Sequence, residues 1–158
     1  MAASVQDDAD QVADAMALIR LSRLVQAVFA RVAERHELTP MRARLLCVLA
    51  ERSRGMAELA REFGVEKAAL TGLVDRAERH GLVERRAVPG DRRAVSVALT
   101  PAGLRTASGF HAEVTTELAR LTASLTAGER ASFRMALATI TQAAGPGRYE
   151  VAAPALGN

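Results

Sequence analysis

Residues Val65 to Gly103 read VEKAALTGLVDRAERHGLVERRAVPGDRRAVSVALTPAG, and the apolar spacing changes once within them. Leu70, Leu73, Val74 and Ala77 recur at i, i+3, i+4 and i+7, the stripe of a helix that packs one face inward. At 100° per residue the opposite face carries Ala68, Thr71, Gly72, Asp75, Arg76 and Arg79. Small residues at Ala68 and Gly72 let the helix backbone approach a groove, and Lys67, Thr71, Arg76 and Arg79 place donors around them. The major groove of a DNA duplex is wide enough to admit such a helix. Gly81 is suited to the left-handed residue that ends it. Beyond Gly81 the period falls to two: Val95, Val97 and Leu99 alternate with Ala94, Ser96 and Ala98, as in a half-buried strand. Val88, Pro89, Gly90 and Asp91 make the turn between this run and Leu82–Val83. The resulting hairpin carries Arg85, Arg86, Arg92 and Arg93 against Asp91 near its tip. A groove-sized helix followed by a cationic hairpin is the pattern of a winged helix-turn-helix.

Working outward, Met56–Phe63 (MAELAREF) forms a short helix with Leu59 and Ala60 inward, and Gly64 turns into the reader helix, completing the helix-turn-helix. Upstream, Thr39 as N-cap and Pro40 at the first helical position start a helix to about Glu51, joined onward by the connector Arg52–Gly55. Thr100 and Pro101 repeat the device, and the helix they start is expected to reach about Leu125. Thr126 to Glu129 is a capping box opening a last helix with Phe133, Leu137 and Ile140.

Before the reader, Val12, Met16, Ile19, Val25, Phe29 and Val32, flanked by Leu18, Leu21, Leu24 and Val28, describe one long helix from Ala9 to about His36. Its apolar stripe is broader than the small reader domain can cover, so a second subunit is expected against it. The domain plan is therefore residues 9–36 and 101–143 as dimerisation helices, 38–100 as the reader, and 1–8 and 145–158 as flexible tails. The fold class is mainly α with a small β-hairpin wing.

Length and composition agree. A chain of 158 residues suits one such unit, and aromatics at 3% with no Trp, set against abundant Ala, Leu, Arg and Glu, lean helical. The formal charge of +3 is concentrated: Leu38–Thr100 holds twelve Arg and Lys against eight Asp and Glu, which favours a polyanionic partner. One cysteine excludes an internal disulfide and fits a reducing, cytoplasmic setting. The acidic N-terminus has no signal-peptide pattern, and no apolar run is long enough to span a membrane.

Several spaced motifs agree together with a known family. LTP at Leu38–Pro40, ELA at Glu58–Ala60, GLVERR at Gly81–Arg86, DRR at Asp91–Arg93 and LTPAG at Leu99–Gly103 resemble the MarR family of bacterial and archaeal regulators. The resemblance covers the central 65 or so residues in motif and the flanking helices in length and pattern. It implies a homodimer joined by the first and last helices. It also implies a palindromic operator, and repression relieved by a ligand or by oxidation. It further implies that Arg93 of the D-x-R signature enters the minor groove while Asp91 steadies the loop. Glu66 stands where relatives often cap the reader helix with Ser or Thr, and Ala68 and Ala69 replace residues often hydroxylated; Ala68 can still meet a thymine methyl.

The candidate DNA-binding residues are accordingly Lys67, Ala68, Thr71, Gly72, Arg76, Arg86, Asp91, Arg92 and Arg93. Strand alternation sends Arg85 and Arg86 to opposite faces, so one is expected at phosphate and the other in a pair with Glu84, Asp75 or Glu78. Asp75 is expected to orient Arg76 or Arg79, or to accept from a cytosine amine. Arg23 and His111 are candidates for an anionic or phenolic ligand in the cleft between dimer base and reader. No cofactor or metal is implied, because His36, His80 and His111 lack ligand spacing, and no nucleophile–base pair or phosphate loop points to an enzyme. The alternatives are a winged helix that docks protein, and a redox-responsive regulator acting through Cys47.

Overall fold

The computed structural model describes residues 2–88 and 91–144, with residues 2–6, 88, 91–94 and 144 described by backbone alone. In chain order the elements are α1 (Ala2–Arg35), α2 (Pro40–Glu51), β1 (Arg54–Gly55), α3 (Met56–Phe63) and α4 (Lys67–Arg79). They continue with β2 (Val83–Val88), β3 (Asp91–Leu99), α5 (Pro101–Leu121) and α6 (Ala127–Ala144). The three strands form one antiparallel sheet in the order β1-β3-β2.

The helix starts and stops follow from backbone groups that need partners. Thr39 Oγ1 accepts from the Arg42 amide at 3.3 Å ahead of Pro40, and Thr100 Oγ1 accepts from the Gly103 amide at 3.0 Å ahead of Pro101. Thr100 Oγ1 also donates to the Gly81 carbonyl at 2.6 Å, tying the root of the wing to the start of α5. Gly64 and Gly81 hold φ of 62° and 68°, and each closes a helix of the reader. At the end of α1 the left-handed residue is Glu37, at φ 56°, and the Leu38 amide reaches back to the Ala33 carbonyl at 2.9 Å. Glu129 and Thr126 form the reciprocal capping box that opens α6.

The core gathers the predicted inward residues. Leu45, Leu46 and Leu49 of α2, Leu59 and Phe63 of α3, and Leu70, Leu73, Val74 and Ala77 of α4 are buried with Val83 and Val97 of the sheet. Ala107, Phe110 and Val114 of α5 close it, together with Val28, Val32 and Ala33 from the last turns of α1. The rest of α1 and nearly all of α6 lie outside it. Val12 is 65% exposed and Met135 68%, Met16, Leu18, Ile19, Leu24 and Ile140 are also exposed, and no described side chain of α6 is buried.

Four details depart from the sequence reading. Helix α1 begins at Ala2 rather than Ala9; Ala2, Ala3 and Gln6 are compatible with helix but carry no apolar spacing that would mark it. Helix α5 stops at Leu121, short of Leu125, because Thr122, Ala123 and Leu125 turn through short-range backbone bonds. Arg130 also donates to the carbonyls of Thr122 and Leu125. The connector Arg52–Gly55 contains strand β1, with Arg54 paired to Val97 and Gly55 to Ser96. Val95, expected inward, is 41% exposed where β3 runs past the core, while Ala98 is buried.

Candidate nucleic-acid interface

Because Leu70, Leu73, Val74 and Ala77 are held in the core, α4 must present its other side to solvent. Lys67, Ala68, Ala69, Arg76 and Arg79 are exposed there, and Thr71 and Gly72 are half-buried. The Arg76 guanidinium lies back over Gly72. Thr71 Oγ1 donates to the Lys67 carbonyl at 2.8 Å, so in this rotamer its oxygen is left to accept a hydrogen bond from outside. Glu66 occupies the N-cap without a side-chain hydrogen bond, which leaves its carboxylate beside the start of the helix.

The hairpin beside α4 sorts its arginines by face, as the register requires. Val83, Arg85 and Ala87 pair with Leu99, Val97 and Val95, whereas Glu84 and Arg86 pair with Ala98 and Ser96. Arg85 therefore turns toward α4, where it bonds Glu78 and also Asp75, the latter at 2.6 Å. Burial lowers the basicity of its guanidinium, but the bonds and charges of the two carboxylates outweigh this and raise its pKa above the ordinary arginine value. Asp75 thus pairs with the wing and not with Arg76 or Arg79, because Asp75 and Glu78 lie on the side of α4 that faces β2. Arg86 points from the other sheet face and pairs with Glu84, its Nε donating at 2.8 Å. It lines a shallow groove of about 390 Å³ with Leu49, Ala98, Thr100 and Leu104. The backbone places Asp91, Arg92 and Arg93 at the start of β3, with Asp91 paired to Val88; their side chains, like residues 89–90, lie outside the described residues.

The remaining candidates are set apart from this face. Arg23 on α1 and His111 on α5 are both exposed. Helix α1 meets α5 farther along, where Arg35 pairs with Glu113 at 2.6 Å, Arg31 and Arg35 with Glu117, and His36 with Glu113 at 2.8 Å, beside Phe110. This cluster was not anticipated, although Arg31 and Arg35 on one helix and Glu113 and Glu117 on the other share the same four-residue spacing. A second unanticipated cluster braces α3: Arg54 of β1 meets Glu51 at 2.6 Å, Glu58 at 3.1 Å and Glu62 at 3.2 Å. Cys47 is half-buried, and burial pushes its thiol pKa up. Desolvation is the cause of that shift, and the Arg44 guanidinium is placed against other groups, donating to the Glu62 carbonyl at 2.7 Å and stacking 4.5 Å from the centre of the Phe63 ring. Among the described residues there is no group of three His, Cys, Asp or Glu able to hold a metal ion, and no helix is long and apolar enough to cross a membrane.

Comparison with known proteins bears on the same segment. Residues 36–94 match the sequence model of the MarR family. The homoprotocatechuate degradative operon repressor of Escherichia coli is 33% identical over 89 residues, which are 56% of this chain and 60% of the repressor, so less than two thirds of that relative is spanned. Among solved structures, RV1404 from Mycobacterium tuberculosis superposes with a TM-score of 0.75 at 30% identity, covering 87% of this chain and 94% of that one. Wild-type MarR from Escherichia coli, in its apo form, gives a TM-score of 0.67 at 29% identity, covering 78% and 95%.

Proposed function

The chain belongs to the MarR family of winged helix-turn-helix transcriptional regulators, and on that footing we propose that it is a homodimeric repressor of a palindromic operator, released by a small ligand. The observation that carries the reading is the outward face of α4, where Lys67, Ala68, Thr71, Gly72 and Arg76 combine small residues with donors beside a cationic hairpin. Lys67 serves phosphate, Thr71 and Arg76 serve base edges, and Arg92 and Arg93 serve the neighbouring minor groove, with Asp91 steadying the tip. Arg86 reaches a phosphate only by leaving Glu84.

Dimerisation is supported by the apolar side chains that α1 and α6 leave uncovered. Folding this chain alone keeps Val12, Met16, Ile19, Met135 and Ile140 in water, and a second copy related by a two-fold axis is the partner that removes them. Two reader helices would then meet half-sites about 34 Å, or about 10 base pairs, apart. A repressor of this kind works in the cytoplasm, with the DNA.

A relative that represses a homoprotocatechuate degradative operon supports an anionic phenol as the class of inducer. Arg23 can pair with a carboxylate, and His111 can hydrogen-bond a phenol. Such a ligand releases DNA only if it binds the lobes better at a spacing the operator does not allow. The oxidation-driven alternative through Cys47 is disfavoured by the raised thiol pKa.

Duplexes selected from a random pool test the reading. They should share inverted half-sites about 10 base pairs apart and lose affinity steeply with salt. A purified chain that sediments as a single subunit, or that enriches no duplex at low salt, overturns it.

A further inference from the structure

Among the described residues, three hydrogen bonds cross from the wing to the reader helix, and all three come from one residue. The Arg85 amide donates to Glu78 Oε1 at 3.1 Å, its Nη1 to Glu78 Oε2, and its Nη2 to Asp75 Oδ1 at 2.6 Å. Asp75 and Glu78 stand one turn apart on α4, so a single planar guanidinium spans both. Arg85 in turn is held in the sheet beside its register partner Val97, which is fully buried on the central strand. The strand that carries Arg85 ends three residues on, at Val88.

We propose that Arg85 is a specificity-determining positioning residue: it locks α4 and the wing into one rigid body, so that major-groove and minor-groove contacts are made at a single fixed spacing. The inference rests on the DNA-reading function proposed above and adds to it a residue that touches no nucleic acid. Two physical effects follow from the same hydrogen bonds. The lock removes the freedom of the hairpin to swing about Gly81, so ordering the wing no longer counts against binding. It also offsets one of the two negative charges that Asp75 and Glu78 place on the reader helix, which would otherwise repel phosphate. A lysine keeps the charge but, as a single ammonium on a flexible stem, cannot hold both carboxylates in one plane.

The test uses full-length dimer and one duplex enriched by the wild-type chain, with a random duplex of equal length as reference. Arg85→Lys and Arg85→Gln should each lower affinity for the enriched duplex by about tenfold or more while changing random-duplex affinity much less, since each variant removes the coupling between two elements. The salt dependence on the enriched duplex should keep its slope, because no phosphate contact is removed. Adding Asp75→Asn and Glu78→Gln to Arg85→Gln should cost no further selectivity, as expected when the three act as a unit. Unchanged selectivity with only a lower melting temperature would reduce Arg85 to a fold-stabilising residue and overturn the inference. An equal loss on both duplexes with a slope smaller by about one would make it a phosphate contact and overturn it too. If the wild-type chain enriches no duplex, the regulatory reading falls and takes this inference with it; enrichment by wild type with indifferent variants sinks the inference alone.

Discussion

The Arg76 guanidinium lies across Gly72, where a Cβ would stand 3.4 Å from its Nη1. That is ordinary contact with the end of a flexible side chain, so the fold does not require glycine there. An alanine in a helix interior is favoured over glycine by about 0.8–1 kcal/mol. Gly72→Ala is therefore expected to raise stability toward denaturant by up to about that amount while lowering affinity for an enriched duplex, because the methyl group stands between the helix backbone and the groove. Urea unfolding and a duplex titration on the same preparation check both halves. A variant that is more stable and binds as well as wild type would show that close approach at Gly72 is not needed.

Gly103 poses the opposite case. A Cβ there would stand 1.8 Å from the Leu82 carbonyl oxygen, which already accepts the Thr100 amide at 3.1 Å. Backbone cannot swing aside as Arg76 can, so Gly103→Ala must part α5 from the root of the wing. A loss of about 1–3 kcal/mol is expected from such overpacking, read as a lower urea midpoint, and binding should weaken as the wing loses its base.

These two glycines also mark what the amino-acid string reveals and what it hides. The outward face of α4 and the hairpin are legible because period 3.6 gives way to period 2 at Gly81, and alternation alone separates Arg85 from Arg86. The partner of Asp75 is only half legible: proximity in sequence suggests Arg76 or Arg79, strand alternation also offers one of Arg85 and Arg86, and the sheet brings in Arg85 from ten residues away. Strand β1 is hidden for a similar reason, since two residues have no period and their partners Val97 and Ser96 lie some forty positions downstream. The clash at Gly103 belongs to neither class, because it depends on the packing of α5 against a carbonyl that no pattern announces.

Ile19 and Ile140 lie on different helices, α1 and α6, and both are exposed. If a second copy covers them, a carboxylate at either position is buried against apolar surface, which is strongly unfavourable without a partner. Ile19→Asp and Ile140→Asp are each expected to shift the sedimentation profile from dimer toward monomer. Affinity for the palindromic duplex should fall with them, since two linked readers bind far better than one. Retention of the wild-type sedimentation profile by both variants would place the interface elsewhere.

Glu129 is held below the ordinary carboxylate pKa, first by the Thr126 amide and then by the Thr126 hydroxyl; Glu58 is lowered first by its hydrogen bond to Arg52. A folded pKa below the unfolded one gives stability that is fully present above the unfolded value and is lost as pH falls through the folded value. Glu129→Gln keeps the capping geometry and removes the charge. The urea midpoint of wild type should therefore exceed that of the variant at pH 7, and the gap should close on acidification below about pH 4. A gap independent of pH would assign the effect to lost geometry instead of charge.

Burial raises the pKa of the Cys47 thiol, and the Arg44 guanidinium bonds the Glu62 carbonyl and stacks on the Phe63 ring instead of the thiol. Attack on a disulfide or a peroxide requires the thiolate, so at neutral pH this side chain should react more slowly with a thiol reagent than free cysteine does, with unfolding restoring the normal rate. Cys47→Ser is expected to bind duplex as wild type does, and micromolar peroxide should leave both complexes intact in a gel shift. Release of the wild-type complex alone by peroxide would instead give Cys47 the switching role that its surroundings argue against.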